Sequence, residues 1–305
     1  DEQCRRAVSE HDVAQEIDID YKRSGWQYFD VGKLDGIKAA TVREPVLVGD
    51  VGFKEDFSEV KFFPDPGGRI KLWISPDLEG CFPDGGYVLG VDIATGKGGE
   101  RSSNSTACLL NSVTGEKVLE FADNQTNPTE FADICIAICK LFDDAFLIWE
   151  DNGPGGQFGT QVKNQGYRNI FYRKNEKSSK GKSQDIPGWW TSKDSKRSLL
   201  GEYARALVAG EFINPSAEAL KECEEYVHDP VRGIVHSGST DRSDPTLSGE
   251  NHGDRVIADA LAHRGRSEVF VVLKTVPAEP PVGSIGYRMK MRRLGGDDVE
   301  YKWVE

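Results

Sequence analysis

The sequence predicts an α/β fold: a mixed five-stranded sheet flanked by helices, with an N-terminal β-hairpin extension and a C-terminal tail. Three observations predict it. From Tyr87 onward, short apolar runs of strand length alternate with longer stretches whose apolar residues recur at helical spacing. The first three strand-like runs follow one another directly, and the later ones are separated by helical patterns. The composition, 38% apolar and 29% charged over 305 residues, is that of an ordinary globular chain able to build a sizeable core.

Taken in order, Tyr87–Ile93 reads as a buried strand, followed by strands at Ser105–Asn111 and Glu116–Phe121 with Thr114-Gly115 turning between them. Phe131, Ile134, Cys135, Ile138, Leu141 and Phe142 place a helix over Thr129–Phe142, with Thr126 or Asn127 as its cap. Phe146–Glu150 is the fourth strand, Gly156–Gln165 a helix and Asn169–Tyr172 the fifth strand. Ser192–Ala209 is a long amphipathic helix, Ala217–Tyr226 is helical, Gly233–His236 is a short strand and Asp254–His263 a closing helix. A three-strand meander, then helix, strand, helix, strand, is the order of an RNase H-like fold. Residues 1–84 are expected to form a linker helix and hairpins, 85–266 the RNase H-like domain, and 267–305 a polar tail.

No apolar run approaches the ~18–20 residues needed to span a bilayer, and the polar start carries no signal pattern. The expectation is a soluble, cytosolic protein. The abrupt start at Asp1 suggests a fragment or a processed product. Six cysteines lie scattered without C-x-x-C spacing, which argues against a structural zinc site or a disulfide framework. The net charge of −12 is unfavourable for binding polyanions, but its distribution is uneven. Between Lys163 and Arg197 stand ten basic residues against three acids, and a second basic cluster spans Arg288, Lys290, Arg292 and Arg293. Lys177, Lys180, Lys182, Lys193, Lys196 and Arg197 are therefore candidate contacts to DNA phosphates.

Three acids stand at element ends: Asp92 in the first strand, Glu150 closing the fourth, and Asp254 opening the last helix. In this fold the first and fourth strands are neighbours and the last helix packs across their ends, so the three carboxylates can converge. An acid inside an apolar run is costly to bury unpaired. Clustered carboxylates are hard ligands suited to Mg²⁺ or Mn²⁺, and two such ions can serve phosphodiester hydrolysis. Asp92, Glu150 and Asp254 are therefore the candidate catalytic and metal-ligating residues.

Four segments carry a resemblance. Gly90-Val91-Asp92-Ile93-Ala94-Thr95-Gly96-Lys97-Gly98, Trp149-Glu150-Asp151-Asn152-Gly153, Trp190-Thr191-Ser192-Lys193 with Arg197-Ser198-Leu199-Leu200, and His252-Gly253-Asp254-Arg255-Val256-Ile257-Ala258-Asp259-Ala260-Leu261-Ala262 together resemble the large terminase subunits of tailed bacteriophages. The similarity spans roughly residues 86–266, with a weaker echo at Ala14–Tyr21. The resemblance implies a C-terminal nuclease that cuts concatemeric double-stranded DNA in the host cytoplasm at the procapsid portal. The implied partners are the terminase ATPase domain, the portal protein and the small terminase subunit. Many members carry two adjacent acids at the last motif; here Gly253 precedes Asp254, which leaves a fourth metal ligand in doubt.

The packaging ATPase itself is not expected within this chain: Gly181-Lys182-Ser183 lacks the preceding glycine of a phosphate loop, Glu176 standing there instead. Asp259 reads as structural or salt-bridged, and Asp151 as facing away from Glu150. His252 is a loop histidine beside a cap, and the Lys97–Ser103 loop is a candidate hairpin tip near the acids. Two other readings compete: a Holliday-junction resolvase-like nuclease, and a non-catalytic portal-docking or DNA-clamping module whose acids are structural.

Overall fold

Side-chain parity along two neighbouring strands decides where the acids point. The computed structural model describes residues 27–77, 80–83, 85–99, 102–173, 186–229, 232–237 and 253–269. The chain divides into two compact units, Asp1–Val271 and Val272–Glu305, and all described residues belong to the first. Lys177, Lys180, Lys182, His252, the Ala14–Tyr21 echo and the Arg288–Arg293 cluster lie outside the described residues.

The elements run α1 (Val31–Thr41), β1 (Leu47–Phe53), β2 (Val60–Pro64), β3 (Ile70–Leu72), β4 (Tyr87–Asp92), β5 (Ser105–Asn111), β6 (Lys117–Asp123), α2 (Pro128–Leu141), β7 (Phe146–Trp149) and α3 (Gly155–Asn164). They continue with β8 (Tyr172–Arg173), β9 (Ile186–Pro187), α4 (Lys193–Ala209), α5 (Ala217–Cys223), β10 (Tyr226–Asp229), β11 (Gly233–His236) and α6 (Asp254–Gly265). The main sheet has seven strands in the order β2-β1-β3-β6-β5-β4-β7. β4, β5 and β6 form the antiparallel meander, and β7 joins β4 in parallel. The crossover through α2 makes that parallel pairing possible, and the arrangement is the RNase H-like one.

The N-terminal strands join the domain's sheet at its edge: β3 pairs with β6, so β1–β3 continue the same sheet and bring it to seven strands. Two expectations are corrected. The fifth strand at Asn169–Tyr172 is not continuous. Leu147 forms a parallel bridge with Ile170 and Glu150 one with Trp189, so two separate pieces of chain take turns beside β7. Tyr172 and Arg173 leave to pair antiparallel with Ile186 and Pro187, forming a separate two-stranded sheet instead. Finally, the helix expected to reach Tyr226 stops at Cys223, and Tyr226 starts β10 opposite His236.

Both sheet faces are covered. Leu89, Val91, Leu109, Leu147 and Trp149 pack with Phe131, Ile138 and Phe158 of α2 and α3. Val88, Cys108, Leu110 and Ile148 pack with Leu199, Leu200, Tyr203, Val256 and Leu261 of α4 and α6. This alternation is the period of two expected of strands buried on both faces. It places Asp92 in line with Val88 and Gly90, and Glu150 in line with Ile148, both toward α6. The register pairs Val91 with Trp149, and Glu150 N–H donates to Val91 O at 3.0 Å, so the two acids are neighbours.

Gly90 brings α6 onto this face. A side chain there would overlap the backbone Ala258 O and Ala262 N of α6, so only glycine lets the helix rest directly on β4. Below α6 runs a buried ionic network. Lys117 Nζ bonds Glu120 Oε2 and Asp259 Oδ1, each at 2.7 Å, with none of the three side chains more than 2% exposed. A register shift between Leu109 and Leu110 lets Lys117 and Glu120, three apart, share one face. Arg255 joins the network through Glu120 Oε1 (3.0 Å) and Glu222 Oε1 (2.6 Å), and Tyr203 and Asn214 donate to Asp259 Oδ2. Asp259 is thus the structural, salt-bridged group expected from its position.

Candidate active site

Each acid reaches the site by a different local device. Asp92 ends β4, and Glu150 follows β7 just before the tight Asp151–Gly153 turn, where Gly153 has φ of +54°. Asp254 is the first residue of α6. Its carbonyl accepts from Thr106 Oγ1 at 2.8 Å, and its carboxylate Oδ2 accepts from the Asn104 N–H at 2.8 Å. Those two bonds tie the helix start to β5 and to the residue just before it. Gly253 is explained by Tyr226: a side chain there would collide with the phenol, whose Oη donates to Gly253 O at 2.8 Å.

Asp92, Glu150 and Asp254 line one cavity of about 560 Å³, together with Thr95, Ser102, Ser103, Asn104, Asn152, Lys196 and Tyr226. Burial, and then the neighbouring Glu150 and Asp254 carboxylates, push Asp92 well above the usual carboxylate range. Burial also lifts Asp254 to about 7, against the pull of the Asn104 N–H and Arg255. Lys196 feels the opposite balance. Burial lowers its pKa, while Glu150, Asp92 and Asp254 hold the charge on it. Like charges gathered in a poorly solvated recess raise one another, and an ammonium among them offsets part of that cost.

The donor set is all oxygen, the chemistry of a hard divalent cation. Among the described residues, however, no group of three or more His, Cys, Asp or Glu side chains is drawn together closely enough to hold a metal ion. The carboxylates share a cavity and interact electrostatically without closing into a ligand cage. Asp254 has one oxygen engaged by the Asn104 N–H.

The three basic residues of α4 part company. Lys196 turns into the cavity, Lys193 packs beside Gly233 of β11, and Arg197 is exposed and acts on Tyr28. Asp151 faces away from the cavity, as strand parity requires, and pairs with Arg173 at 2.9 Å. Sequence reasoning missed Asn104, Thr106, Asn152 and Tyr226. The signal for Thr106 was present, since a threonine two residues before Cys108 shares the α6 face, but Asn104 and Tyr226 carried none.

No helix among the described residues is long and apolar enough to cross a membrane. No protein-family model matches the chain, and no curated protein matches it. Among solved structures, the chain is similar to the large terminase nuclease from thermophilic phage G20c, at 14% identity, with 76% of this chain and 97% of that chain covered and a TM-score of 0.46. The same nuclease with bound magnesium is 15% identical, over 78% of this chain and 97% of that chain, with a TM-score of 0.48. The Thermus phage P74-26 large terminase nuclease domain is 14% identical, over 76% and 94%, with a TM-score of 0.46.

Proposed function

We propose that this chain is the metal-dependent endonuclease of a viral DNA-packaging terminase, cutting concatemeric double-stranded DNA. One observation carries the reading. Three carboxylates from β4, the end of β7 and the start of α6 open into a single cavity, and two of them, Asp92 and Asp254, are pushed upward by burial and by a neighbouring carboxylate. Perturbed acids converging in a cleft are the usual mark of a catalytic site. The packaging role, with an ATPase domain, portal protein and small subunit as partners, follows from the order of the four sequence segments.

Asp92, Glu150 and Asp254 would hold Mg²⁺ or Mn²⁺, two ions when the site is full. Bound there, the cations would supply Lewis-acid charge at the attacking and leaving oxygens of a phosphodiester. The protein's own part is positional. Asn104 and Thr106 fix the start of α6, Gly90 seats the helix on β4, and Lys196 offers an ammonium to an incoming phosphate. Lys177, Lys180, Lys182, Lys193 and Arg197 are the proposed outer contacts to the DNA backbone.

Supercoiled plasmid incubated with the protein and Mn²⁺ should be nicked, and EDTA should prevent it. Asp92→Ala, Glu150→Ala and Asp254→Ala should each abolish nicking while the fold survives. Full activity in any one variant would remove that residue from the site. A non-catalytic docking module would show neither Mn²⁺-dependent cleavage nor Mn²⁺-dependent stabilisation.

A further inference from the structure

Tyr226 is 2% exposed, yet it lines the acid cavity and reaches both kinds of charge that meet there. Its hydroxyl donates at 2.8 Å to Gly253 O, the carbonyl immediately before Asp254. Its ring lies beneath the Lys196 ammonium, 5.7 Å from centroid to Nζ. One side chain therefore holds the backbone that aims an acid and faces the cation that shares the acid's cavity.

The ring is itself firmly seated. Phe29 and His236 pack edge-on against it, at 6.0 and 5.9 Å between centroids. Tyr226 starts β10 opposite His236 of β11, and its carbonyl accepts from the Tyr28 N–H at 2.8 Å. Gly253 fits it from the other side. A β-carbon there would come within 2.4 Å of the phenol oxygen, so the hydroxyl approaches only because residue 253 has no side chain. The helical bond to the same carbonyl, from the Ile257 N–H, is long at 3.4 Å. The phenol is the closer tether of the two.

Lys196 needs holding for a different reason. Its ammonium rides on a flexible four-carbon stem. Burial disfavours the charge, and Glu150, Asp92 and Asp254 sustain it. Drawn onto a carboxylate, it would neither meet a phosphate nor leave that carboxylate free for a metal ion. A cation within about 6 Å of an aromatic centroid is attracted to the ring face, so Tyr226 offers the ammonium a resting place beside the acids.

We infer that Tyr226 is a positioning residue serving both halves of the site: its hydroxyl fixes Asp254 for the metal, and its ring holds Lys196 for the phosphate. The inference rests on the nuclease reading of the cavity, but each half is measurable without cleavage.

Tyr226→Phe removes the hydroxyl and keeps the ring. Tyr226→Met removes both and fills the space with an adaptable chain. Mn²⁺ affinity is read by titration calorimetry without DNA, and affinity for a labelled duplex by anisotropy in EDTA at low salt. Tyr226→Phe should bind Mn²⁺ at least about threefold more weakly, the effect of one lost hydrogen bond, with duplex affinity unchanged. Tyr226→Met should also bind the duplex at least about threefold more weakly. That duplex loss should vanish when Lys196→Gln is already present, because the ring acts through the ammonium. Unchanged Mn²⁺ affinity in Tyr226→Phe, equal loss for both ligands in that variant, or a duplex loss independent of Lys196 overturns the inference. Matched thermal melts exclude unfolding as the cause. If Tyr226→Met does not fold, Tyr226→Phe decides alone: a loss confined to Mn²⁺ supports the inference and any other result overturns it. Plasmid nicking with Mn²⁺ is read on the same preparations. Nicking by the wild type without these selective losses overturns the inference and leaves the nuclease reading standing. Selective losses without any nicking by the wild type do the reverse, and a wild type that binds neither Mn²⁺ nor duplex overturns both.

Discussion

Lys117 Nζ lies 2.7 Å from Asp259 Oδ1, joining β6 to α6, with both side chains wholly excluded from solvent. Burial alone would strip the charge from Lys117, but Asp259 and Glu120 outweigh it and hold the ammonium above its usual range. Glu120 answers in kind: burial opposes its charge, yet Lys117 and Arg255 bring it down to about 2. The network fixes the helix whose first residue is Asp254.

Removing one partner should therefore be expensive. Lys117→Met leaves Asp259 and half of Glu120's coordination as uncompensated buried charge, with an expected loss of about 3–5 kcal/mol in denaturant melts. Lys117→Met combined with Asp259→Asn should recover part of that, because the amide keeps an acceptor for Tyr203 without the charge. A single variant as stable as wild type would show that the pair does not hold α6.

The metal-free protein should lose stability as pH rises through the acid range. Asp254 is held at about 7 in the folded chain against an ordinary 3.8, so the native state binds more protons than the unfolded state between those values. Stability contributed by this group is therefore full below about pH 4, falls toward pH 7 and flattens above it. The slope is at most about 1.4 kcal/mol per pH unit. Asp254→Asn keeps an acceptor for the Asn104 N–H and cannot ionise. In EDTA, the stability difference between wild type and this variant should grow in the variant's favour from pH 4 to 7. A difference that does not change with pH would mean that Asp254 ionises as freely folded as unfolded.

Gly90→Val should act through the backbone of α6. Its side chain would overlap Ala258 O and Ala262 N, atoms that cannot swing aside, so the helix must lift from β4. The expected cost is about 3 kcal/mol or more, read by chemical denaturation, with any Mn²⁺-dependent nicking lost as Asp254 moves away from Asp92. Wild-type stability in this variant would show that the helix is not seated at contact distance.

Much of this was legible locally. Strand and helix periods in residues 87–263 located most elements to within a residue or two, because sheet and helix faces that bury apolar side chains repeat at two and 3.6 residues. The same parity that puts Leu147 and Trp149 on one face turns Ile148 and Glu150 to the other, so the direction of Glu150, and of Asp151 opposite it, could be read from the apolar run alone. Ser192 and Asn127 cap their helices as their side-chain chemistry suggests.

Contacts between distant segments were decided only in the folded chain. Nothing local to β3 says that it will pair with β6, and nothing in Asn169–Phe171 says that Trp189 will take over the last bond beside β7. Asn104 meets Asp254 across 150 residues, and Tyr226 meets Gly253 across 27. Lys193, Lys196 and Arg197 stand at i, i+3 and i+4 of one helix, positions that share a face, yet they meet Gly233, the acid cavity and Tyr28 respectively, because what packs around that helix comes from distant parts of the chain. The sequence by itself determined the periodic elements and the three acids at their ends, because a side chain's face is set by the residues beside it. Which groups surround those acids was left to tertiary packing, because strand register and helix seating depend on atoms far away along the chain.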